Sequence, residues 1–474
     1  MPSLELLKEQ NPWWIAKEKI EEDVNLEKLS QVKYQWHPSA LDLFKTDKDV
    51  IYTLRGSRQV GKTTTLKLLI KRLLPNISKE NIFYFTCNNI DSYQDLIEIL
   101  RIYFDWQDNN QRKYVFVDEI TFVKNWTRAI KHLADLGSLR NCAMILTGSN
   151  ARDLKYEVER MPGRRGEDAQ LDKILFPVSF KTYVEFVNPE IAQRFSDIES
   201  ARKHYPFYQK QLQGYLGDFL LTGGFIQVIN NFAANKKVEI DIYQQYLSWA
   251  LGDLAKLGKK EVYSRQIFDQ LIRAITANIG FDTIAKKTSI DSHRTVEDYL
   301  DVMESNFIVK ILYQIDINKK LSATRRTKKM YFQDLFLLWV FLGYVFGLSD
   351  YFSASQKRLN DELFKSKLIE NLIMTSLMRL ENSVNWSNIV FFFRTTNQVE
   401  VDFVVKRQNG ELLPIEVKYQ DKAGHKDFLN LNRINSQKGI IISKKVFSID
   451  KDKWIVPAEV FLLLQDGLNL NQGI

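Results

Sequence analysis

Cysteine is scarce: the 474 residues hold only Cys87 and Cys142. Each lies in or beside a β-like apolar run, and no disulfide framework or zinc-ligand spacing can be drawn from them. This usage predicts a reducing, cytoplasmic setting. The opening stretch MPSLELLKEQNPWW lacks the apolar core of a signal peptide. Long hydrophobic runs are also missing. The stretch 335–348 (LFLLWVFLGYVFGL) is apolar throughout but falls short of the roughly 20 residues a bilayer span needs. It predicts a buried helix between domains, and no membrane partner. No repeat with a period of about 20–50 residues is visible. His293 has no cysteine or carboxylate at ligand spacing, so a metal role is excluded for it.

What remains is a chain able to fold several cores. Hydrophobic residues make up 45% of it, and its length suits about three domains. The net charge of +8 permits a nucleic-acid partner without requiring one. Residues 1–45 read as a polar, Trp-containing N-terminal segment. Strand-like runs at 50–54, 81–87, 114–118 and 142–147 then alternate with helical runs at 62–73, 93–104 and 126–136. A further strand is expected near 174–177. This alternation predicts βαβ units and a parallel sheet.

Between the first strand and the first of these helices lies Gly56-Ser57-Arg58-Gln59-Val60-Gly61-Lys62-Thr63-Thr64, a G-x-x-x-x-G-K-T loop in the strand–loop–helix setting it requires. The glycines let backbone N–H groups turn inward around phosphates. Lys62 is expected at the β and γ phosphates of ATP and Thr63 at Mg²⁺, aided by the helix N-terminus. The strand Tyr114-Val115-Phe116-Val117 delivers Asp118 and Glu119 at its C-terminal end, where α/β sheets bind ligands. Asp118 is expected to hold Mg²⁺ through its water shell and Glu119 to polarise the attacking water.

At this point the sequence resembles the AAA+ superfamily. The resemblance implies a polar sensor at the end of the next strand, here Thr147 or Ser149 in Thr147-Gly148-Ser149-Asn150. Arg164 and Arg165 are candidates for an arginine that reaches the γ phosphate, in cis or from a neighbour. The likeness narrows to archaeal and bacterial AAA+ ATPases fused to a C-terminal domain of unknown function. It rests on Gly163-Arg164, Pro177-Val178-Ser179-Phe180 and Thr222-Gly223-Gly224-Phe225 in that order, and covers about 46–445. Physically, Gly223-Gly224 reads as a sharp turn between helices. Ring assembly is usual in that superfamily, so an oligomer is compatible with the resemblance.

A second constellation lies near the C-terminus. A long helix at 359–380 is expected, then strands at 389–394, 399–406 and 412–418, a helix near 426–434 and a strand at 439–443. Alternation along the strands puts Glu400 and Asp402 on one face and Glu416 and Lys418 on one face. Pairing across the turn at Asn409-Gly410 would bring Asp402 and Glu416 together near Lys418. Two carboxylates with a lysine suit a divalent metal, Mg²⁺ or Mn²⁺, that activates water and steadies a phosphodiester. This pattern resembles the PD-(D/E)XK, restriction-endonuclease-like nucleases. The resemblance implies catalytic roles for Glu370, Asp402, Glu416 and Lys418, with Asp402 and Glu416 as metal ligands. Val401 stands where that family often has proline.

Between these regions, 178–257 reads as helical. A helix–turn–helix pattern follows: 268–277, a break at Gly280, 281–287, and 296–304 capped by Ser292, with a wing strand in 306–315. Its reading helix would present Ser292, His293, Arg294 and Thr295. Lys286, Lys287, Arg325, Arg326, Lys328 and Lys329 would neutralise backbone phosphates. The expected organisation is an N-terminal segment (1–45), an AAA+ P-loop core (46–180), a helical lid (181–257), a winged helix (258–335) and a nuclease-like α/β domain (336–474). The expected partners are ATP and DNA. The alternative is a signalling or scaffold ATPase whose C-terminal half binds protein.

Overall fold

The computed structural model describes residues 4–107, 110–148, 154, 161, 163–168, 170–380 and 389–464. The chain divides into two compact units, one running through Phe176 and the other beginning at Pro177.

The first unit is built on five parallel strands: β1 (Val50–Arg55), β2 (Ile82–Thr86), β3 (Lys113–Asp118), β4 (Cys142–Gly148) and β5 (Asp172–Ile174). Their order is β2-β3-β4-β1-β5, and each neighbouring pair is parallel. β1, β3 and β4 are buried along their whole length, as strands covered on both faces must be. The helices include α1 (Leu4–Gln10), α2 (Val24–Gln31), α3 (Lys62–Leu73), α4 (Tyr93–Trp106) and α5 (Trp126–Asp135). Ser92 starts α4 by accepting the Asp95 N–H and donating to the Asp95 carboxylate, which satisfies an otherwise orphaned first-turn donor.

The segment expected to stand apart as 1–45 belongs to this unit. Trp13, Trp14, Leu7 and Phe44 are buried in its core. Both indole N–H groups donate to the Ile82 carbonyl, at 3.0 and 2.9 Å. The Asn11 side chain accepts from Tyr84 N–H and donates to Tyr84 C=O, and Gln10 accepts from Thr86 N–H. These side chains satisfy the outward backbone groups of the edge strand β2.

The second unit holds the residues expected as a helical lid, a winged helix and a nuclease-like domain. It opens with α6 (Phe180–Val187), α7 (Ile198–Thr222), α8 (Ile226–Asn235), α9 (Ile240–Lys256) and α10 (Glu261–Arg273). A short strand β6 (Asn278–Ile279), α11 (Phe281–Lys286) and α12 (His293–Ser305) follow. Ser292 caps α12 through the Arg294 N–H. Then come β7 (Val309–Tyr313), the hairpin of β8 (Ile315–Asp316) and β9 (Leu321–Ser322), and β10 (Lys328–Phe332). β10 is the middle strand of an antiparallel three-stranded sheet, β6-β10-β7.

The apolar stretch forms α13 (Leu335–Phe346) and is buried inside this unit. No single helix among the described residues is long and apolar enough to cross a membrane. Asp334 caps α13 by accepting the Phe336 N–H, and it also accepts the Gly224 N–H, both at 2.8 Å. Gly223 has φ +61, and a Cβ there would lie 2.0 Å from Asp334 Oδ1. Glycine at 223 therefore leaves room for this buried carboxylate, whose pKa burial pushes up to about 6.

The long helix expected over 359–380 is present, beginning three residues later and running on through a short 3-10 turn to Leu380. Asp361 accepts the N–H groups of Leu363 and Phe364, so a new helix, α14 (Glu362–Leu377), starts there after the helix Tyr351–Leu359 ends. Six strands complete the unit: β11 (Val390–Arg394), β12 (Glu400–Lys406), β13 (Leu412–Lys418), β14 (Gly439–Ser443), β15 (Ser448–Asp450) and β16 (Lys453–Pro457). They are ordered β11-β12-β13-β14-β16-β15. The first three form an antiparallel meander, and β13, β14 and β16 run parallel. The closing helix α15 (Ala458–Leu464) is buried.

Candidate nucleotide site and a second acidic centre

Gln59 (φ 62) and Gly61 (φ 100) hold the left-handed conformations that fold the loop after β1 back on itself. A side chain at Gly56 would come within 2.5 Å of the Leu175 carbonyl. Lys62 begins α3, is almost wholly buried, and donates from Nζ to the carbonyls of Gly56 and Ser57, each at 3.0 Å. Its ammonium thus sits in the mouth of the loop, 4.0 Å from Glu119 Oε1.

Asp118 ends β3 and is 2% exposed. Its Oδ2 accepts from the Thr63 hydroxyl at 2.6 Å and from the Tyr84 hydroxyl at 3.0 Å. Its Oδ1 accepts from the Thr147 hydroxyl. Thr147 in turn accepts the Glu119 N–H at 3.0 Å, and Glu119 has φ 51. One carboxylate at the end of β3 therefore gathers groups from β2, β4 and α3. Burial, then the Asp118 charge, pushes the Tyr84 phenol well up, so it stays a donor. Tyr84 was missed in the sequence, where it reads as one more aromatic in a core strand. The set fits a triphosphate and a divalent ion: a loop turned back by Gln59 and Gly61, a buried ammonium, and a buried carboxylate that already holds the Thr63 hydroxyl.

The arginines differ. Arg165 is buried, with its guanidinium on Asp172 at 2.8 Å and on the carbonyls of Ile51 and Leu171. Ile51 lies near the start of β1, four residues from the loop end, or roughly 13 Å along the strand. Arg164 pairs at 2.7 Å with Asp135, the last residue of α5. The cis reading of Arg165 at the γ phosphate is thereby corrected: it fastens the opposite end of the sheet. Ser149 lies outside the described residues. Thr147 is the sensor candidate whose hydroxyl the structure places at Asp118.

In the second unit Glu370 (α14), Glu400 and Asp402 (β12) and Glu416 and Lys418 (β13) come together. Asp402 N–H donates to Glu416 Oε2 at 3.3 Å, and Val417 N–H donates to Asp402 Oδ2 at 3.0 Å. Lys418 pairs with Glu416 at 3.0 Å. The centre also holds a residue the sequence reading put elsewhere. Lys329, from β10, is 1% exposed and lies 3.0 Å from Glu370, 2.7 Å from Glu400 and 2.9 Å from Asp402. The expectation that Lys329 meets a phosphate backbone is overturned by this burial. Lys328 is also internal, bonded to the carbonyls of Thr324 and Arg326 and lying over the Phe281 ring.

Burial opposes the Lys329 charge, but Asp402, Glu370 and Glu400 outweigh it and hold the ammonium above its ordinary range. One ammonium cannot neutralise every carboxylate around it. Burial and then the Asp402 charge push Glu370 up to about 7 and Glu416 up to about 8. Tyr331 donates to Glu370 at 2.8 Å, and the Asn278 amide donates to Glu400. Among the described residues no group of three or more His, Cys, Asp or Glu is arranged to hold a metal ion.

Comparison with known proteins agrees with the first site. A model described as an AAA domain matches residues 48–184. Two domains of unknown function match further on, DUF8612 over 213–345 and DUF4143 over 365–461. An uncharacterised protein of Haemophilus influenzae is 24% identical, over 85% of this chain and 90% of its own. An uncharacterised protein of Methanocaldococcus jannaschii is also 24% identical, over 82% of this chain and 79% of its own. Among solved structures, a Walker-type ATPase of Pyrococcus abyssi aligns with a TM-score of 0.39 at 14% identity, covering 68% of this chain and 95% of that one. Thermotoga maritima RuvB aligns with a TM-score of 0.29 at 15% identity, covering 62% and 89%. The first unit carries an AAA-type P-loop domain.

Proposed function

We propose that this chain hydrolyses ATP in its first unit and uses the cycle to control DNA engagement by its second. The observation that carries the hydrolytic part is Asp118, which gathers Thr63, Tyr84 and Thr147 beside Lys62 and Glu119. Bound Mg²⁺ would supply charge neutralisation between the β and γ phosphates. Lys62 would turn from the Gly56 and Ser57 carbonyls to the phosphates. Thr63 and Asp118 would hold the ion. Glu119, fixed by its N–H bond to Thr147, would orient the water. Lys62→Ala should abolish turnover while the circular-dichroism melt stays close to wild type; normal turnover in a folded variant would remove the reading.

The DNA part is supported by exposed Lys286, Lys287, His293, Arg294, Arg325 and Arg326 around α11, α12 and the loop before β10. We read this region as a winged helix after a helical lid, and residues 336–474 as a restriction-endonuclease-like α/β fold, since α14, the β11–β13 meander and parallel β14 follow that order. Arg164, half-exposed, is the side chain we assign to a neighbouring subunit's γ phosphate if the chains form a ring. Duplex affinity should fall steeply with salt as counterions are released. Absence of binding even at low salt would favour the rival reading, an ATPase whose second unit binds protein.

A further inference from the structure

The acidic centre of the second unit has the carboxylates of a metal site, but its central position is taken. An ammonium has three N–H donors, and Lys329 Nζ lies within 3.0 Å of three carboxylates, on Glu370, Glu400 and Asp402. The other Asp402 oxygen accepts the Val417 N–H. Glu416 is held by Lys418 and by the Asp402 N–H. Mg²⁺ would need the same oxygens at about 2.0–2.1 Å in octahedral array. A divalent ion and an ammonium that share one carboxylate oxygen at such distances repel each other in a site this dry.

Lys329 is not a surface side chain that happens to reach inward. It sits on the middle strand of β6-β10-β7, opposite Asn278 on one side and Leu312 on the other. Asn278 itself bonds Glu400, and Tyr331, two residues along β10 on the same face, bonds Glu370. The small sheet is joined to the larger one through Gln314, which bridges to Phe392 and donates to the Arg394 carbonyl. Backbone pairing on both sides thus fixes where the ammonium lies.

We propose that Lys329 is the resident cation of this centre: its ammonium stands where a divalent metal would stand, so the folded chain holds no metal at Asp402 and Glu416. The carboxylates are a counter-ion cage that locks β10 to α14 and β12. Metal-dependent hydrolysis of a phosphodiester there requires the Lys329 ammonium to leave the carboxylates. The proposal rests on the carboxylate geometry alone. A chain that fails to bind DNA at low salt loses the reading of its partner and leaves this one intact.

The test titrates Mn²⁺ into nucleotide-free, full-length protein and counts bound ions from the loss of the free-ion EPR signal. Asp402→Asn should leave the wild-type count unchanged. Lys329→Met should add one site, which Lys329→Met/Asp402→Asn should remove, and Lys329→Arg should add none. Asp402-dependent Mn²⁺ binding by the wild-type chain overturns the proposal. So does a folded Lys329→Met protein that gains no site. If Lys329→Met does not fold, the wild type and Asp402→Asn decide by melting at saturating Mn²⁺. Equal shifts support the proposal, and a shift that Asp402→Asn abolishes overturns it.

Discussion

Thr147→Val removes one hydroxyl from the nucleotide site and leaves a side chain of the same shape. Thr147 is wholly buried, so water cannot replace what is lost. Two bonds go: the one donated to Asp118 Oδ1 and the one accepted from the Glu119 N–H. A hydrogen bond to a charged group contributes about 1.5–3 kcal/mol, and an orphaned buried N–H costs about 1–3 kcal/mol. Glu119 also holds a left-handed backbone, which costs on the order of 1 kcal/mol and persists only while its surroundings over-determine it. Without Thr147 it can relax, which recovers part of the stability and moves its carboxylate away from the water it should orient. If about 2.7 kcal/mol of that organisation is needed at the transition state, turnover falls roughly 100-fold. The KM for ATP should move far less, because Lys62 and the loop amides are untouched. Steady-state phosphate release with ATP titration measures both. Thr147→Ser, which keeps the hydroxyl, should restore most of the rate. Turnover of Thr147→Val within twofold of wild type would refute the argument that this hydroxyl sets Asp118 and Glu119.

Two predictions concern the second unit. Gly223→Ala adds a Cβ 2.0 Å from Asp334 Oδ1 at a φ of +61, which displaces a buried cap; it should cost about 3 kcal/mol or more, read as a fall in the urea midpoint. Glu459 is buried, accepts the Tyr205 hydroxyl at 2.7 Å, and is pushed by burial from 4.5 up to about 7. A carboxyl whose folded pKa is raised gives stability that is present at low pH and lost as pH climbs from about 4.5 through 7, here up to about 3 kcal/mol. Asp334, raised to about 6, acts in the same direction. Glu459→Gln should therefore raise the urea midpoint at pH 8 and hardly change it at pH 5; equal gains at both would show that ionisation is not the cause.

The phosphate loop was legible because its chemistry is local. Glycines, lysine and threonine fall within nine consecutive positions, and an apolar strand announces its own end at Asp118. The register of β12 against β13 was legible for a similar reason, since a short turn joins them. Lys329 was not. Its neighbours in sequence are Arg325, Arg326 and Lys328, which suggest a solvated basic face, and only the pairing of β10 with β6 and β7 turns it inward. Tyr84 meets Asp118 from an adjacent strand in the same way. The start of α14 was placed three residues early because the capping role of Asp361, which accepts the N–H groups of Leu363 and Phe364, was not read.

The side chains that answer β2 from the N-terminal segment have a further meaning. A strand at the rim of a sheet, with its N–H and C=O groups pointing outward, invites another chain to pair with it. Here a second strand is replaced by Gln10, Asn11, Trp13 and Trp14, which meet the outward groups of Ile82, Tyr84 and Thr86. A polypeptide trimmed to begin at the first strand would not be a smaller ATPase domain. It would leave the outward groups of Ile82, Tyr84 and Thr86 open to pairing with another chain, an edge that Gln10, Asn11, Trp13 and Trp14 otherwise cover.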